Sequence, residues 1–196
     1  MEQEYLALDT ISCQETHQLM KRLTTEQGVI RNFHRNIRMD NWEVETDLFP
    51  KEALAVYSAW NLEKDISSED KKKYFSAYRG GSQGDYRDGM DAKISNVVAC
   101  LSLFPQSKRA VITIPNNSSP AHTSDDDAKC LREIHFYLDG QQLNATAFFR
   151  AQAADIFPKN IHFIGVLISE IANKLGDEVK PGVLHYHATT LVADRQ

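Results

Sequence analysis

The segment from residue 130 to residue 160 constrains the fold most, because it reads as a β-hairpin bounded by polar, reactive side chains. Apolar and polar residues alternate over 132–138, which predicts a strand with one buried face. Asp139 and Gly140 follow, and this pair is the strongest short-range signal for a tight turn. Residues 142–149 alternate in the same way. The segment therefore predicts two antiparallel strands joined by a short turn.

The register of this hairpin decides which residues meet at its open end. A two-residue turn pairs Cys130 with Phe149, whereas a three-residue turn with a bulge pairs Cys130 with Arg150. Either register leaves Cys130 and Arg150 at the same end, where cross-strand neighbours lie roughly 5 Å apart. A cation beside a thiol favours the thiolate, which is the nucleophilic form. The spacing therefore predicts a thiol suited to covalent chemistry on a polar, anionic small molecule.

The size and charge of the chain limit its organisation and its partners. The chain fits a single domain, 1–196, and is long enough for a substantial core. Hydrophobic residues make up 42% and charged residues 25%, as is usual for a soluble globular protein. A net charge of −5 argues against generic nucleic-acid binding, which needs a basic surface, so we expect no nucleic acid as a partner.

Other features indicate the compartment. No apolar run approaches the roughly 20 residues of a membrane helix, and the first ten residues lack the features of a signal peptide. The three cysteines are too widely spaced for a disulfide framework or a CxxC metal pattern. His185 and His187 share a strand face, a spacing that can bind zinc, but no third ligand is evident. We therefore expect a cytoplasmic protein with no membrane partner and no metal site.

The remaining patterns predict an α+β fold in which a largely antiparallel sheet packs against a long buried helix. That helix is expected at 161–175, because its apolar residues recur at helical spacing and Gly176 supplies a stop. The other expected elements are helices at 3–23, 51–62 and 91–103, strands within 28–48 and at 110–114 and 182–192, a charged surface segment at 67–73, and loops at 78–89 and 115–127.

Four short motifs carry a family resemblance. Ser107-Lys108-Arg109 leads into a strand, Cys130 opens the hairpin, Arg150 closes it, and Pro158-Lys159-Asn160-Ile161 opens the long helix. In this order and at these separations they resemble the thymidylate synthase and pyrimidine hydroxymethylase family. The resemblance extends over roughly residues 107–176. It implies a thymidylate-synthase-like fold and a methyl or hydroxymethyl transferase of nucleotide biosynthesis.

The resemblance also implies how such a reaction would proceed. In this family a cysteine thiolate, here Cys130, adds to carbon-6 of a pyrimidine nucleotide. Carbon-5 then attacks the one-carbon unit of 5,10-methylenetetrahydrofolate. Arg150 would stabilise the thiolate and bind the nucleotide phosphate through charge-assisted hydrogen bonds. Asn160 would hydrogen-bond the base edge, and a carboxamide at that position implies a uracil-type base.

Two further roles follow from the resemblance. Asp155 looks like the aspartate that helps to hold the folate ring. Lys108 and Arg109 match basic residues that contact the phosphate from the partner subunit of a homodimer. The implied assembly is therefore a homodimer that binds a pyrimidine nucleotide and a reduced folate.

Several departures indicate a divergent, shortened member of the family. Ala151 stands where the family has a serine, and residues 190–192 lack the His-x-Tyr pair that binds the sugar. The chain stops at Gln196, where the family continues, and Glu52 is the nearest candidate for the catalytic glutamate. Two alternatives stay open: a non-catalytic nucleotide-binding or scaffold homologue that has lost the folate site, and a pocket that acts on a different heterocycle without folate.

Each candidate residue also has a purely structural interpretation. Cys130 would be a buried core thiol, since free cysteine is among the most buried residue types. Arg150 would form an ion pair with Asp155. Asn160 would cap the long helix, and the Lys-Arg pair would be a solvated strand entrance.

Overall fold

A computed structural model describes residues 9–75, 79, 84–115 and 129–194. The helices are α1 (Cys13–Gln27), α2 (Lys51–Asn61), α3 (Ser68–Tyr74), α4 (Met90–Leu103) and α5 (Phe157–Leu175). The strands are β1 (Thr10–Ile11), β2 (Ile30–Arg38), β3 (Val111–Thr113), β4 (Leu131–Asp139), β5 (Gln142–Phe149), β6 (Gln152–Ala153) and β7 (Lys180–Val192). A short 3-10 turn, Ala154–Ile156, joins β6 to α5.

The strands of the described residues form one mixed sheet in the order β1-β2-β7-β5-β4-β3, with β6 also paired to β7. Three pairings are antiparallel (β2 with β7, β3 with β4, β4 with β5), and the pairings of β1 with β2 and of β7 with β5 and β6 are parallel. The α+β class is confirmed, and the sheet is mixed: antiparallel pairing covers more residues, but β7 pairs in parallel with β5 and β6. The parallel pairing results from α5, which carries the chain back to the end of the sheet where β5 begins. Strand β7 then runs alongside β5 in the same direction.

Most expected elements occur with shifted boundaries. The elements α2, α4, β3 and β7 lie where the sequence places them, and the charged segment forms the short helix α3. Helix α1 begins at Cys13 rather than at residue 3, because Ser12 and Glu15 form a capping box there. Of the strands expected within 28–48, the structure has β2. Residues 1–8, part of the predicted loop at 78–89 and nearly all of the predicted loop at 115–127 lie outside the described residues.

Helix α5 is the buried centre of the molecule. It begins at Phe157, earlier than the expected residue 161, because Pro158 fits the first turn of a helix, where its missing N–H is not needed. Its first eight residues, polar ones included, are all buried. It packs on the inner sheet face, whose buried side chains are Phe33, Ile37, Ile134, Phe136, Leu143, Ala145, Ala147, Phe149, Leu184, Tyr186 and Ala188.

The other face of the sheet is more polar and more exposed. His34 and His135 are exposed there, whereas His185 and His187 are half-buried. Together with Phe148 and neighbouring side chains these histidines line an open groove of about 550 Å³. The sheet therefore has one apolar face under α5 and one face that is accessible from outside.

The hairpin adopts a register that pairs Cys130 with Arg150. Asp139 pairs with Gln142, so the turn residues are Gly140 and Gln141, and Gly140 has a φ of +58°, which glycine adopts without strain. A bulge between Leu131 and Glu133 then shifts the register by one residue. Of the two registers considered, the pairing of Cys130 with Arg150 is confirmed, although the extra residue lies in the strand and not in the turn.

A buried hydrogen bond links α5 to α2. The His162 Nδ1 atom lies 2.6 Å from the Ser58 hydroxyl oxygen, and both residues are buried. Burial lowers the pKa of His162 from 6.5 to about 4; the Glu43 carboxylate raises it slightly and Lys51 lowers it. The folded protein therefore holds His162 neutral where the unfolded chain would protonate it.

This depressed pKa predicts a loss of stability in acid. The contribution of His162 is fully present above pH 6.5 and is lost as the pH falls towards 4, because only the unfolded state binds the proton in that window. The shift corresponds to roughly 3 kcal/mol. Urea unfolding at several pH values measures this contribution. Between pH 7 and pH 4 the free energy of unfolding should fall by roughly 3 kcal/mol less in His162→Gln than in the wild-type protein. A wild-type slope in His162→Gln would contradict the assignment.

Candidate functional site

The open end of the hairpin brings two of the predicted site residues together. Cys130 directly precedes β4, Arg150 directly follows β5, and the Arg150 amide donates to the Cys130 carbonyl oxygen at 2.9 Å. The guanidinium Nε of Arg150 donates to the Lys129 carbonyl oxygen at 3.2 Å. Cys130 and Arg150 are both half-buried, so each keeps an accessible side.

The buried phenol of Tyr86 is a neighbour of both residues. Burial raises the pKa of Tyr86 far above its usual value, and the Cys130 thiol raises it further. The Leu131 backbone and the Arg150 guanidinium act in the opposite direction. Cys130 and Arg150 therefore both affect the pKa of the Tyr86 phenol. The thiol, the guanidinium and the phenol lie in one electrostatic environment.

The Tyr86 phenol is hydrogen-bonded to the Tyr57 side chain, and from Tyr57 buried hydrogen bonds lead on to Asn160. The Asn160 Nδ2 group donates to Gln152 Oε1 at 2.9 Å, and the Tyr186 hydroxyl donates to the same oxygen at 2.7 Å. The Tyr57 hydroxyl lies 3.4 Å from Asn160 Oδ1. We refer to the whole set as the Cys130 cluster; its members are Cys130, Arg150, Tyr57, Tyr86, Asn160, Gln152 and Tyr186.

The phenols of the Cys130 cluster are neutral hydrogen-bond donors. Burial raises the pKa values of Tyr57 and Tyr186 well above the usual range, and Tyr86 and Cys130 raise them further. All three phenols therefore stay protonated at physiological pH, and none competes with Cys130 for negative charge.

Asn61 fixes the backbone at Tyr57 and Tyr86. Its Oδ1 accepts from the Tyr86 amide at 2.6 Å, and its Nδ2 donates to the carbonyl oxygens of Tyr57 at 3.1 Å and Gly84 at 3.2 Å. The Gly84 carbonyl also accepts from the Tyr57 hydroxyl at 2.7 Å. A Cβ atom at Gly84 would lie 2.7 Å from both the Tyr57 hydroxyl and the Lys159 ammonium, so glycine is needed for this close packing.

Lys159 is a buried cation beside the Cys130 cluster. It is 3% exposed, and its ammonium donates to the Arg79 carbonyl oxygen at 2.7 Å. The same ammonium lies 4.6 Å from the centroid of the Tyr57 ring, which is within cation–π range. These contacts offset part of the cost of removing the charge from water.

Lys108 and Arg109 lie far from Cys130 within the same chain. Both are exposed and precede β3, and the pairing of Val111 with His135 places Lys108 level with Leu138. Leu138 is at the turn end of β4, roughly 26 Å from Cys130 at about 3.3 Å per residue. The Lys-Arg pair therefore does not join the Cys130 cluster of its own chain.

The two carboxylates considered from the sequence also lie outside the Cys130 cluster. Asp155 forms an ion pair with Lys21 of α1 at 3.1 Å, and its amide donates to the Ala193 carbonyl oxygen. Glu52 is exposed in the first turn of α2. Paired with Lys21, Asp155 does not belong to the Cys130 cluster, so its position does not support a folate contact beside Cys130.

Three structural alternatives can be compared with these positions. Ile156 occupies the N-cap position of α5 and Asn160 lies inside the helix, so the capping interpretation of Asn160 is wrong. The structural interpretation of Arg150 was an ion pair with Asp155, but Asp155 pairs with Lys21 instead. Cys130 packs against the core but is half-buried, in contrast to Cys13, whose burial raises the pKa of its thiol to about 12.

Sequence reasoning did not assign a role to most of the polar residues around Cys130 and Asn160. Tyr186 could have been identified, because strand alternation places it on the inner face between Leu184 and Ala188. Tyr57, Asn61 and Gln152 carry no such local signal, since their partners lie on other elements.

No protein-family model matches this sequence, and no curated protein matches it. Within the described ranges, no helix is long and apolar enough to cross a membrane. The same ranges contain no group of three or more histidine, cysteine, aspartate or glutamate residues arranged to hold a metal ion. The function proposed below therefore depends on the geometry of the Cys130 cluster.

The position of Asn61 predicts a large loss of stability on its replacement. Asn61→Ala would leave the buried Tyr86 amide without its acceptor, and a buried unsatisfied group costs about 1–3 kcal/mol. We expect the free energy of unfolding in urea, followed by circular dichroism, to fall by that amount. The matched variant Asn96→Ala, on the exposed face of α4, should change it by less than about 0.5 kcal/mol. Equal effects of the two substitutions would rule out this role for Asn61.

Proposed function

We propose that this protein is a divergent thymidylate-synthase-like enzyme that transfers a one-carbon unit to carbon-5 of a pyrimidine nucleotide in the cytoplasm. The observation that carries the proposal is the pairing of Cys130 with Arg150 beside the buried phenol of Tyr86. The Asn160 carboxamide, which belongs to the same buried network, supports it. The order of hairpin, buried helix α5 and strand β7 is compatible with the family fold.

In the proposed reaction the Cys130 thiolate forms a bond to carbon-6 of the pyrimidine ring. The electron pair of the 5,6 double bond then moves towards the oxygen on carbon-4, so that carbon-5 becomes a nucleophile. Carbon-5 bonds to the electrophilic carbon of the one-carbon donor, and the bond between that carbon and the donor breaks with its electron pair left on the donor. Carbon-5 then loses its proton to solvent. Finally the bond between sulfur and carbon-6 breaks, which restores the double bond and releases the thiolate. Arg150 would favour the thiolate at the first and last steps.

Asn160 and Arg150 would hold opposite ends of the nucleotide. The Asn160 carboxamide offers an acceptor and a donor to the base edge, as a uracil-type base requires. Arg150, whose guanidinium is a strong binder of phosphate oxygens, would bind the nucleotide phosphate. The base and the phosphate would thus be fixed on either side of the carbon attacked by Cys130.

The resemblance implies 5,10-methylenetetrahydrofolate as the donor, which would supply the one-carbon unit when bound. The position of Asp155 beside Lys21 does not support a folate contact. We therefore assign no step to folate, and the donor is a variable of the experiment below.

The proposal predicts that Cys130→Ala abolishes catalysis at carbon-5. Wild-type protein should exchange the carbon-5 hydrogen of a uridine nucleotide with deuterium oxide, with or without added methylenetetrahydrofolate, and should form an adduct detectable by mass spectrometry. The variant lacks the nucleophile and should do neither, while it still binds the nucleotide. Cys100→Ala, whose half-buried thiol contacts Ser107, serves as the matched control and should behave as wild type. If wild-type protein gives neither signal with any uridine or cytidine nucleotide, the proposed activity is wrong.

A second prediction concerns the proposed homodimer. Lys108 lies at the opposite end of the sheet from Cys130, so a two-fold axis midway between these ends would bring the Lys-Arg pair of one subunit to Cys130 of the other. Cys130→Ala and the double variant Lys108→Ala, Arg109→Ala should each be inactive. Mixed after subunit exchange, they should recover about a quarter of wild-type activity, because half of the dimers then carry one intact site. Hybrids that are visible by native mass spectrometry but inactive would exclude a shared site.

The alternative is a non-catalytic nucleotide-binding or scaffold protein of the same fold. The positions of Glu52 and Asp155 outside the Cys130 cluster favour it, because no role as general base or folate contact can be given to either there. Nucleotide binding that depends on Arg150, without carbon-5 exchange in the wild-type protein, would support this alternative.

A further inference from the structure

We propose that Gln152 and Tyr186 form a positioning pair that fixes the orientation of the Asn160 carboxamide and thereby makes the site select uracil over cytosine. This inference rests on the proposed pyrimidine nucleotide site and adds to it a determinant of base selectivity. Neither residue belongs to the motifs that carry the family resemblance.

The hydrogen bonds around Gln152 determine which way its amide faces. Its Oε1 accepts from the Tyr186 hydroxyl at 2.7 Å and from Asn160 Nδ2 at 2.9 Å, which occupies both lone pairs. Its Nε2 donates to the Ala153 carbonyl oxygen at 2.6 Å. A rotated Gln152 amide would direct its NH2 group at two donors and its oxygen at a carbonyl, so one orientation is strongly preferred.

The Tyr186 hydroxyl is a dependable donor in this arrangement. Its ring is fully buried, stacks on Phe149 with a centroid distance of 5.0 Å and meets Phe157 edge-on at 5.7 Å. Burial also raises the pKa of Tyr186 well above its usual value, so the phenol keeps its proton. The ring cannot leave without opening the core, and the hydroxyl therefore holds Gln152 Oε1 in its role as acceptor.

The orientation of Gln152 determines that of Asn160. Because Gln152 Oε1 accepts from it, the Nδ2 group of Asn160 lies on the Gln152 side and Oδ1 lies on the Tyr57 side. One Nδ2 hydrogen and one Oδ1 lone pair then remain for a ligand. The donor Nδ2 and the acceptor Oδ1 of Asn160 cannot exchange positions while Tyr186 and Gln152 are in place.

This fixed carboxamide discriminates between the two pyrimidine edges. Uracil donates from N3 and accepts at O4, which matches one free acceptor and one free donor on Asn160. Cytosine accepts at N3 and donates from N4, so it needs the amide rotated by a half-turn. Rotation would direct Asn160 Oδ1 at Gln152 Oε1 and break the buried hydrogen bond, so cytosine is disfavoured.

The test is the ratio of dissociation constants for deoxyuridylate and deoxycytidylate, measured by calorimetry on the full chain. The wild-type protein should prefer deoxyuridylate. Tyr186→Phe, which keeps the ring and loses the donor, should reduce that preference on the order of tenfold, the equivalent of about one hydrogen bond. Gln152→Met should reduce it similarly. The control Tyr137→Phe also loses one phenolic hydrogen bond, to His185 on the outer sheet face, and should keep the wild-type ratio.

The outcomes separate this inference from the proposed function. If Tyr186→Phe and Gln152→Met bind deoxyuridylate and keep the wild-type ratio, the positioning role of Gln152 and Tyr186 is wrong, whereas the proposed nucleotide site is supported. If the wild-type protein binds neither nucleotide, both are wrong. Side-chain amide exchange by NMR checks the mechanism without a ligand. The Asn160 Nδ2 protons should exchange slowly in the wild-type protein and faster in both variants, and equal rates would overturn the inference even if a variant is less stable.

Discussion

The burial of polar side chains on the first turns of α5 is the constraint on which the rest of the structure depends. Lys159, Asn160 and His162 lie within four residues and are all at least nine-tenths buried. A buried polar group without a partner is costly, so each of them requires an acceptor or donor from another element. Helix α2, strand β6 and the backbone at Arg79 are held close to α5 by those bonds, in addition to the apolar contacts.

The same requirement gives the candidate site its pre-formed character. The bonds that satisfy Asn160 are the ones that would orient it towards a base, so stability and the proposed recognition would use the same atoms. Arg150 and Cys130 differ from this interior, because they lie at the open end of the hairpin and are half-buried. The cluster thus has a rigid end, made by buried and hydrogen-bonded side chains, and a half-buried end at which the backbones of Cys130 and Arg150 pair.

What could be predicted from the sequence was mainly local. Alternation and the Asp-Gly pair identified the hairpin and the meeting of Cys130 with Arg150, since both depend on neighbours along the chain. The mixed sheet was not foreseen, because the parallel pairing of β7 with β5 depends on where α5 directs the chain. Gln152 and Tyr57 went unassigned for a related reason: an isolated polar residue in a sequence does not reveal which distant group will satisfy it. The depth of Asn160 within α5 was missed because an asparagine before an apolar stripe usually marks a helix start.

The place of β7 has a consequence for the order in which the protein can be built. This strand follows all the other described strands along the chain, yet it lies between β2 and β5 in the sheet. A growing polypeptide can close the β4–β5 hairpin, and so join Cys130 to Arg150, while β2 and β5 still present unpaired edges. Tyr186 arrives only with β7. During synthesis Cys130 and Arg150 can therefore pair before the interior around Gln152 and Asn160 is complete, and the open edges of the unfinished sheet are places where strands of other chains can pair.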